Sequence, residues 1–270
     1  MILLSVITYE LSKRLGKQAA AELFHNECGG AEESPIALTA AAHKEPCCTA
    51  VRVARKLRRQ AEVALLHDAG GTSIGHARSR AFSVAGQSGA DIWIACDDDV
   101  DASSETLTHL LGSIDPDTPQ IVIVPCLVRG ADVVNITLDP DSTLERVTKT
   151  GAVLRRALFG GFGLVAVSRA AIQELALAWS DLVFLDDDGE RRLGVFCEYI
   201  RGGWWAREDY AFFSRVPPHV RVEVLLTGLT AHDGRKLRLD EALSYEQIPI
   251  PRGFERRDTE PPPPPSVLLS

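Results

Sequence analysis

A chain of 270 residues has room for one large α/β domain or two small ones, with ample buried core. Its apolar and charged content is ordinary for a soluble globular protein. A net charge of -8 argues against a general nucleic-acid binder, because nothing offsets phosphate repulsion overall.

The opening "MILLSVIT" is too short to span a bilayer and lacks a signal peptide's charged leader and cleavage site. It reads as a first strand, Ile2–Thr8. A helix is expected over Leu11–Phe24, followed by residues 26–48, which are Gly-, Glu- and Ala-rich without clear periodicity and read as an inserted loop. The basic run "VRVARKLRR" reads as the wet face of a helix over Val51–Gln60. Further strands are expected at Glu62–His67, Asp91–Cys96, Gln120–Cys126, Gly163–Val167 and Arg221–Leu226. Helices fall between them at Ser73–Ala85, Ser104–Ser113 and Arg169–Trp179. Such alternation predicts an α/β sandwich with a largely parallel sheet.

"FLDDDGERRLGVF" reads as a hairpin about Asp188-Gly189, with its three acids in the turn. The tail "EPPPPPSVLLS" reads as an extended or disordered extension, so the division is a domain over 1–255 and a Pro-rich tail over 256–270. The six cysteines lack paired metal-site spacing; reduced thiols and a cytoplasmic location are the expectation. No later apolar run is long enough to span a membrane, and contact with a membrane surface is left open.

Ligand sites in open α/β sheets lie outside the carboxyl ends of the strands. One such end carries His67 and Asp68, followed by "AGGTSIGHARSR". Gly70 and Gly75 have the outer spacing of a P-loop, but His76 and Ala77 stand where Lys and Ser/Thr are required. An ATPase P-loop is therefore rejected. The other end carries "DDDVD", Asp97 to Asp101, fused to the buried-strand pattern "DIWIAC". Packing like charges there calls for water, a helix N-terminus or a cation.

An EF-hand loop from Asp97 fails, because Ala102 and His109 occupy the positions needing Gly and an acid. An aspartyl-phosphate phosphatase pattern is met by Asp99, Asp101 and Ser103, but after the third strand rather than the first. The third reading is an Asp-x-Asp pair, Asp97 and Asp99, holding Mn²⁺ or Mg²⁺ against a nucleotide diphosphate. Asp98 is then placed on the ribose, and Asp101 on the cap of the next helix.

Three later segments follow the triplet in order: "FGGFGLVAVSRAAI", "GGWWAREDYAFFSRV" and "LTAHDGRK". Together, over about residues 68–236, they resemble GT-A-fold glycosyltransferases, in particular inverting β-1,4-galactosyltransferase-like and family-two-type enzymes. The resemblance implies a GT-A-like single domain, a Rossmann-like α/β/α sandwich with a mostly parallel central sheet. It implies metal ligation by Asp97, Asp99 and His232, with the imidazole favouring Mn²⁺ over Mg²⁺. Asp209 falls on the general base and Glu208 on a group that orients the site or the acceptor. Arg78 falls on a nucleotide-contacting motif, where Ser79 departs from the expected Asn.

Thr8, Tyr9 and Asp68 follow the first two strands, where the nucleoside normally sits. Around Gly161, open backbone N–H groups would suit donor-sugar hydroxyls, although the glycines could equally ease a bend. Trp204 and Trp205 point opposite ways in an extended segment, so one can pack inward while the other offers an acceptor sugar a flat face. Each assignment has an alternative: Glu208 and Asp209 as acids at a helix N-terminus, His232 as part of an Asp-Gly turn.

The expected activity is transfer of a sugar, with inversion, from a nucleotide-diphosphate donor, UDP foremost, to a glycan, lipid-linked or protein acceptor. Two alternatives stand beside it. One is a sugar-nucleotidyltransferase, for which "VITYELSKR" lacks the phosphate loop; the other is a catalytically lapsed carbohydrate- or nucleotide-binding protein.

Overall fold

Runs of aliphatic residues bounded by turn-formers become the strands of one central sheet. The computed structural model describes residues 1–7, 49–68, 73–143, 145–201 and 203–249. In it β1 (Ile2–Ile7) pairs in parallel with β2 (Val63–Asp68) on one side and β3 (Ile92–Asp97) on the other. Parallel neighbours need long crossovers, and helices supply them: α1 (Thr49–Arg58) before β2, α2 (Ile74–Ser88) before β3. Helix α2 begins at Ser73, whose hydroxyl accepts the His76 N–H at 3.2 Å, and ends at Gly89 with φ 66°.

The chain continues through β4 (Val100–Ala102), α3 (Ser104–Ser113), β5 (Gln120–Ile123), β6 (Val133–Val134), β7 (Ile136–Leu138) and β8 (Glu145–Val147). Then come β9 (Val153–Gly160), β10 (Leu164–Ser168) and α4 (Arg169–Ala178). Two hairpins follow, β11 (Val183–Leu185) with β12 (Arg191–Leu193) and β13 (Tyr199–Arg201) with β14 (Trp204–Ala206). The described chain closes with α5 (Glu208–Arg215), β15 (Arg221–Leu225), β16 (Leu229–His232), β17 (Arg235–Arg238) and β18 (Glu246–Gln247).

Across the nine-stranded sheet the order is β2-β1-β3-β10-β5-β15-β9-β7, with β8 on β9. Most strands run one way, but β10 is antiparallel to both β3 and β5, and β9 to β15, β7 and β8. Only the short turn at Gly161–Gly163 joins β9 to β10, so no crossover turns β10 around. Strand β9 serves three partners, β15 and β8 on either side of its first half and β7 along its second, with a register shift between Thr137 and Leu138. That irregularity bends the strand and carries Gly160 over β5, where an added Cβ would lie 2.9 Å from Ile123 Cδ1.

Helix α1 packs with α3, while α2 packs with α4 and α5. Trp93 of β3 is wholly buried and donates its indole N–H to Ser5 Oγ at 2.8 Å. Around it Phe162, Phe196 and Phe212 interlock at ring-centroid distances of 4.6–4.8 Å. Removing one such ring costs about 3–5 kcal/mol. The cluster anchors the turn between β9 and β10 from beneath. That turn builds the site.

Several expectations are corrected here. The strand expected to reach Cys126 stops at Ile123, because Pro125 has no N–H to give a ladder. Asp101 does not cap α3: Ser103 does, accepting the Thr106 N–H at 3.0 Å. Asp101 instead accepts from Arg52 Nε at 3.1 Å and Lys56 Nζ at 2.8 Å, so the basic face of α1 docks on β4 rather than only meeting water. The hairpin about Asp188-Gly189 forms, with Gly189 at φ 79°. Its Asp186 is buried among His76, Arg80 and Arg192 rather than sitting in an open turn.

Cys96 and Cys126 are buried, and burial pushes the Cys126 thiol up to about 12. Among the described residues no helix is long and apolar enough to cross a membrane. The expected helix Leu11–Phe24, the insertion 26–48, Cys47 and Cys48, and the tail 256–270 lie outside the described residues.

Candidate active site

The site grows from the carboxyl end of β3. Asp97 donates its backbone N–H to Gly163 O at 2.9 Å, which ties the motif to the turn between β9 and β10. Its carboxylate accepts from Arg78 Nη2 at 3.0 and 3.1 Å. Arg78 stands on α2 at 2 % exposure, and a guanidinium is stable there only if its charge is paired. Its other terminal nitrogen, Nη1, donates to Asp209 Oδ1 at 2.5 Å and reaches Glu208 Oε1 at 3.4 Å. Its Cζ lies 5.4 Å from the Phe162 ring centroid. One buried cation thus joins the acidic triplet to the Glu-Asp segment.

The electrostatics follow from this packing. Burial pushes the Asp209 carboxyl up to about 7, assisted by the charges of Glu208 and Asp97 and opposed by Arg78 and a backbone hydrogen bond from Phe162. Burial also raises Asp97, against the pull of Arg78. Burial alone would lower Arg78, but Asp209, Asp97 and Glu208 outweigh it and hold the guanidinium charged. Glu208 and Asp209 open the first turn of α5, where carboxylates are favoured, as the alternative reading of them expects.

A second cluster lies beside the first. Strand β16 pairs with β4 and sets His232 opposite Val100. His232 Nδ1 lies 2.6 Å from Leu127 O and Nε2 lies 3.2 Å from Asp99 Oδ2. With Nδ1–H given to the carbonyl, Nε2 is the nitrogen directed at the carboxylate. The Asp99 contact first, then the carbonyl, raises His232 against the effect of burial. Burial would raise Asp99, but His232 and Arg129 outweigh it and lower the carboxyl. Arg129 Nη2 touches Asp99 Oδ2, and its Nε lies 3.6 Å from Asp233 Oδ2. The Asp233-Gly234 pair turns β16 into β17 with φ 50° and 79°, values suited to a tight hairpin.

Asp97 and Asp99 therefore belong to adjacent clusters within electrostatic reach of one another, rather than to one cage. Among the described residues no group of three His, Cys, Asp or Glu converges on a point. The pair Asp99 and His232 nevertheless suits a cation that takes one or two protein ligands and fills its shell with phosphate and water. The Leu127 carbonyl behind His232 is the type of outer partner that orients a metal-binding imidazole.

The remaining sequence-derived positions divide. Asp98 is buried at the turn between β3 and β4. Asp68 ends β2 level with Ile7, which also pairs with Asp97, so by backbone position it flanks the same edge. Thr8 and Tyr9 lie outside the described residues. Contrary to the expectation from sequence, the Gly161 N–H is not open; it is donated to Asn135 O at 2.7 Å. Ser79 is buried and accepts the Phe196 N–H at 3.2 Å, a structural role. Trp205 is 61 % exposed and donates to Glu198 Oε2 at 2.8 Å, while Trp204 is placed only by its backbone on the same hairpin. Arg129 and Asn135 were not anticipated, since neither belongs to a motif.

No protein-family profile matches the sequence, and no curated protein sequence matches it. Among solved structures, A197 from STIV is similar at 10% identity and a TM-score of 0.42, over 86% of this chain and 84% of that one. GalNAc-T7, solved with UDP, GalNAc and Mn2+, is similar at 14% identity and a TM-score of 0.43, over 86% of this chain and 43% of that one. S. aureus TarS 1-349 in complex with UDP-GlcNAc is similar at 14% identity and a TM-score of 0.38, over 83% of this chain and 55% of that one. The chain thus spans about half the length of the last two.

Proposed function

We propose that the chain is a metal-dependent, GT-A-like glycosyltransferase that moves a sugar from a UDP-linked donor to an acceptor hydroxyl with inversion. The observation that carries this reading is the Arg78 bridge, which sets the Glu208-Asp209 pair beside the Asp97–Asp99 motif from a distant part of the chain.

In this reading Asp209 accepts the acceptor proton as the hydroxyl oxygen bonds to the anomeric carbon. The bond from that carbon to the donor phosphate breaks on the opposite face, and the nucleoside diphosphate leaves with the electron pair. The ring passes through an oxocarbenium-like state, as in glycoside hydrolysis. Arg78 holds Asp209 in place, Glu208 orients the site or the acceptor, and Asp99 with His232 would hold the cation. When bound, that cation supplies Lewis-acid stabilisation of the departing diphosphate.

Calorimetric titration with UDP, with Mn²⁺ and then with EDTA, tests the donor site. Binding is expected only with metal, and His232→Ala should weaken it by about tenfold or more. Equal UDP binding by both proteins with and without Mn²⁺ would sink the metal assignment. Donor binding without transfer or donor hydrolysis would instead favour the lapsed-binder reading.

The base assignment also sets a pH dependence. Asp209 works deprotonated, and its carboxyl is pushed up to about 7, so kcat/KM should climb across neutrality and level off above it. A profile flat from acid to neutral pH would remove Asp209 from the role.

A further inference from the structure

Asn135 sits in the break between β6 and β7 with nearly all its polar groups committed. Its N–H donates to Cys126 O at 3.0 Å and its carbonyl accepts from Gly161 at 2.7 Å. Its side-chain Oδ1 accepts the Cys126 N–H at 2.8 Å. That last bond settles which end of the carboxamide is oxygen, so the other end is an NH₂ group carrying two donors. Among the described residues Nδ2 has no hydrogen-bond partner.

The NH₂ group occupies a space that Gly161 keeps clear, with Gly163 alongside. A Cβ on Gly161 would lie 2.8 Å from Nδ2, and one on Gly163 would lie 3.9 Å away. Between those glycines stands Phe162, which gives its backbone hydrogen bond to Asp209. Gly163 O holds the Asp97 N–H. The donor pair is thus built into the turn that joins the base to the acidic motif, and three bonds fix its orientation.

We propose that Asn135 is a donor-recognition residue whose NH₂ group hydrogen-bonds a hydroxyl of the transferred sugar. The inference rests on the glycosyltransferase reading of the same site. A neutral hydroxyl suits a neutral carboxamide donor, whereas a phosphate oxygen would favour the cations of the site, Arg78 and Arg129. It also returns a donor role to the glycine turn, through the side chain that Gly161 admits rather than through its own N–H.

Asn135→Asp keeps an oxygen for the Cys126 N–H and replaces the NH₂, while Gly161→Ala leaves Asn135 intact and fills its space. Each variant, checked by thermal melting, is titrated in Mn²⁺ with UDP, UDP-glucose, UDP-galactose, UDP-N-acetylglucosamine and UDP-N-acetylgalactosamine. In the wild type one sugar should tighten binding relative to UDP; both variants should lose about tenfold of that preference. UDP and UDP-sugar affinities falling together would place the contact on phosphate and overturn the sugar assignment. An unchanged preference would overturn the role of Asn135 while leaving the glycosyltransferase reading intact. Wild-type protein that fails to bind UDP in Mn²⁺ would overturn both.

Discussion

Asp209→Asn should lower kcat by about 10²- to 10⁴-fold, the range that a positioned general base contributes, with Mn²⁺-dependent UDP binding unchanged within about twofold. The substitution keeps shape and an oxygen for Arg78 Nη1, which lies 2.5 Å from Asp209 Oδ1, so the first turn of α5 should hold. What it removes is the basic oxygen. Asp97 cannot take over without breaking its pair with Arg78, which holds both of its oxygens. Initial rates at saturating donor and acceptor, with calorimetry on the same protein, separate the two quantities. Unchanged turnover would remove Asp209 from catalysis; lost UDP binding would make it a donor-site residue instead.

Arg78→Ala should strongly destabilise the fold. It strands the Asp97, Asp209 and Glu208 carboxylates around a hole where a 2 % exposed guanidinium had paired them. Removing one partner of a buried ion pair costs about 3–5 kcal/mol. At about 2–4 °C per kcal/mol for a domain of this size, Tm should fall by roughly 6–20 °C. Arg78→Lys should recover only part, since one ammonium cannot reproduce a fork that faces Asp97 with one nitrogen and Asp209 with the other.

The pH sign provides an independent check. Asp209 has a folded value of about 7, above its ordinary 3.8, so the folded state binds its proton more tightly than the unfolded chain does. Its contribution to stability is therefore present at acid pH and is lost as pH rises through about 7. Without Arg78 this trend should steepen. Chemical denaturation of both proteins at pH 5 and pH 8 measures it, and equal stability of variant and wild type at pH 8 would show that the bridge is not structural.

The acidic run, the Gly-Gly turn, the Glu-Asp pair and the late His-Asp-Gly were all legible as local sequence. So was the strand Ile92–Asp97, because an uninterrupted buried run ending in acids has few other ways to fold. Helix starts at Ser73, Ser103 and Ser168 were equally readable, since capping depends on residues within one turn. Asp101 was misread for want of a partner: Arg52 and Lys56, which pair with it, arrive from α1, four elements earlier. Arg129 and Asn135 carry no motif, and their roles come from loops that packing brings to Asp99 and Gly161.

The sequence by itself determined the chemistry available at each strand end and the local elements that present it, because charge, polarity and helix capping are short-range properties. Only the tertiary structure decided how that chemistry is shared. It assigned Asp97 to Arg78 and Asp99 to His232, turned β10 antiparallel, and closed the Gly161 N–H while leaving the Asn135 NH₂ without a partner among the described residues. The reason is that pairing a buried charge or donor depends on which groups meet across distant segments, and no spacing along the chain specifies that meeting.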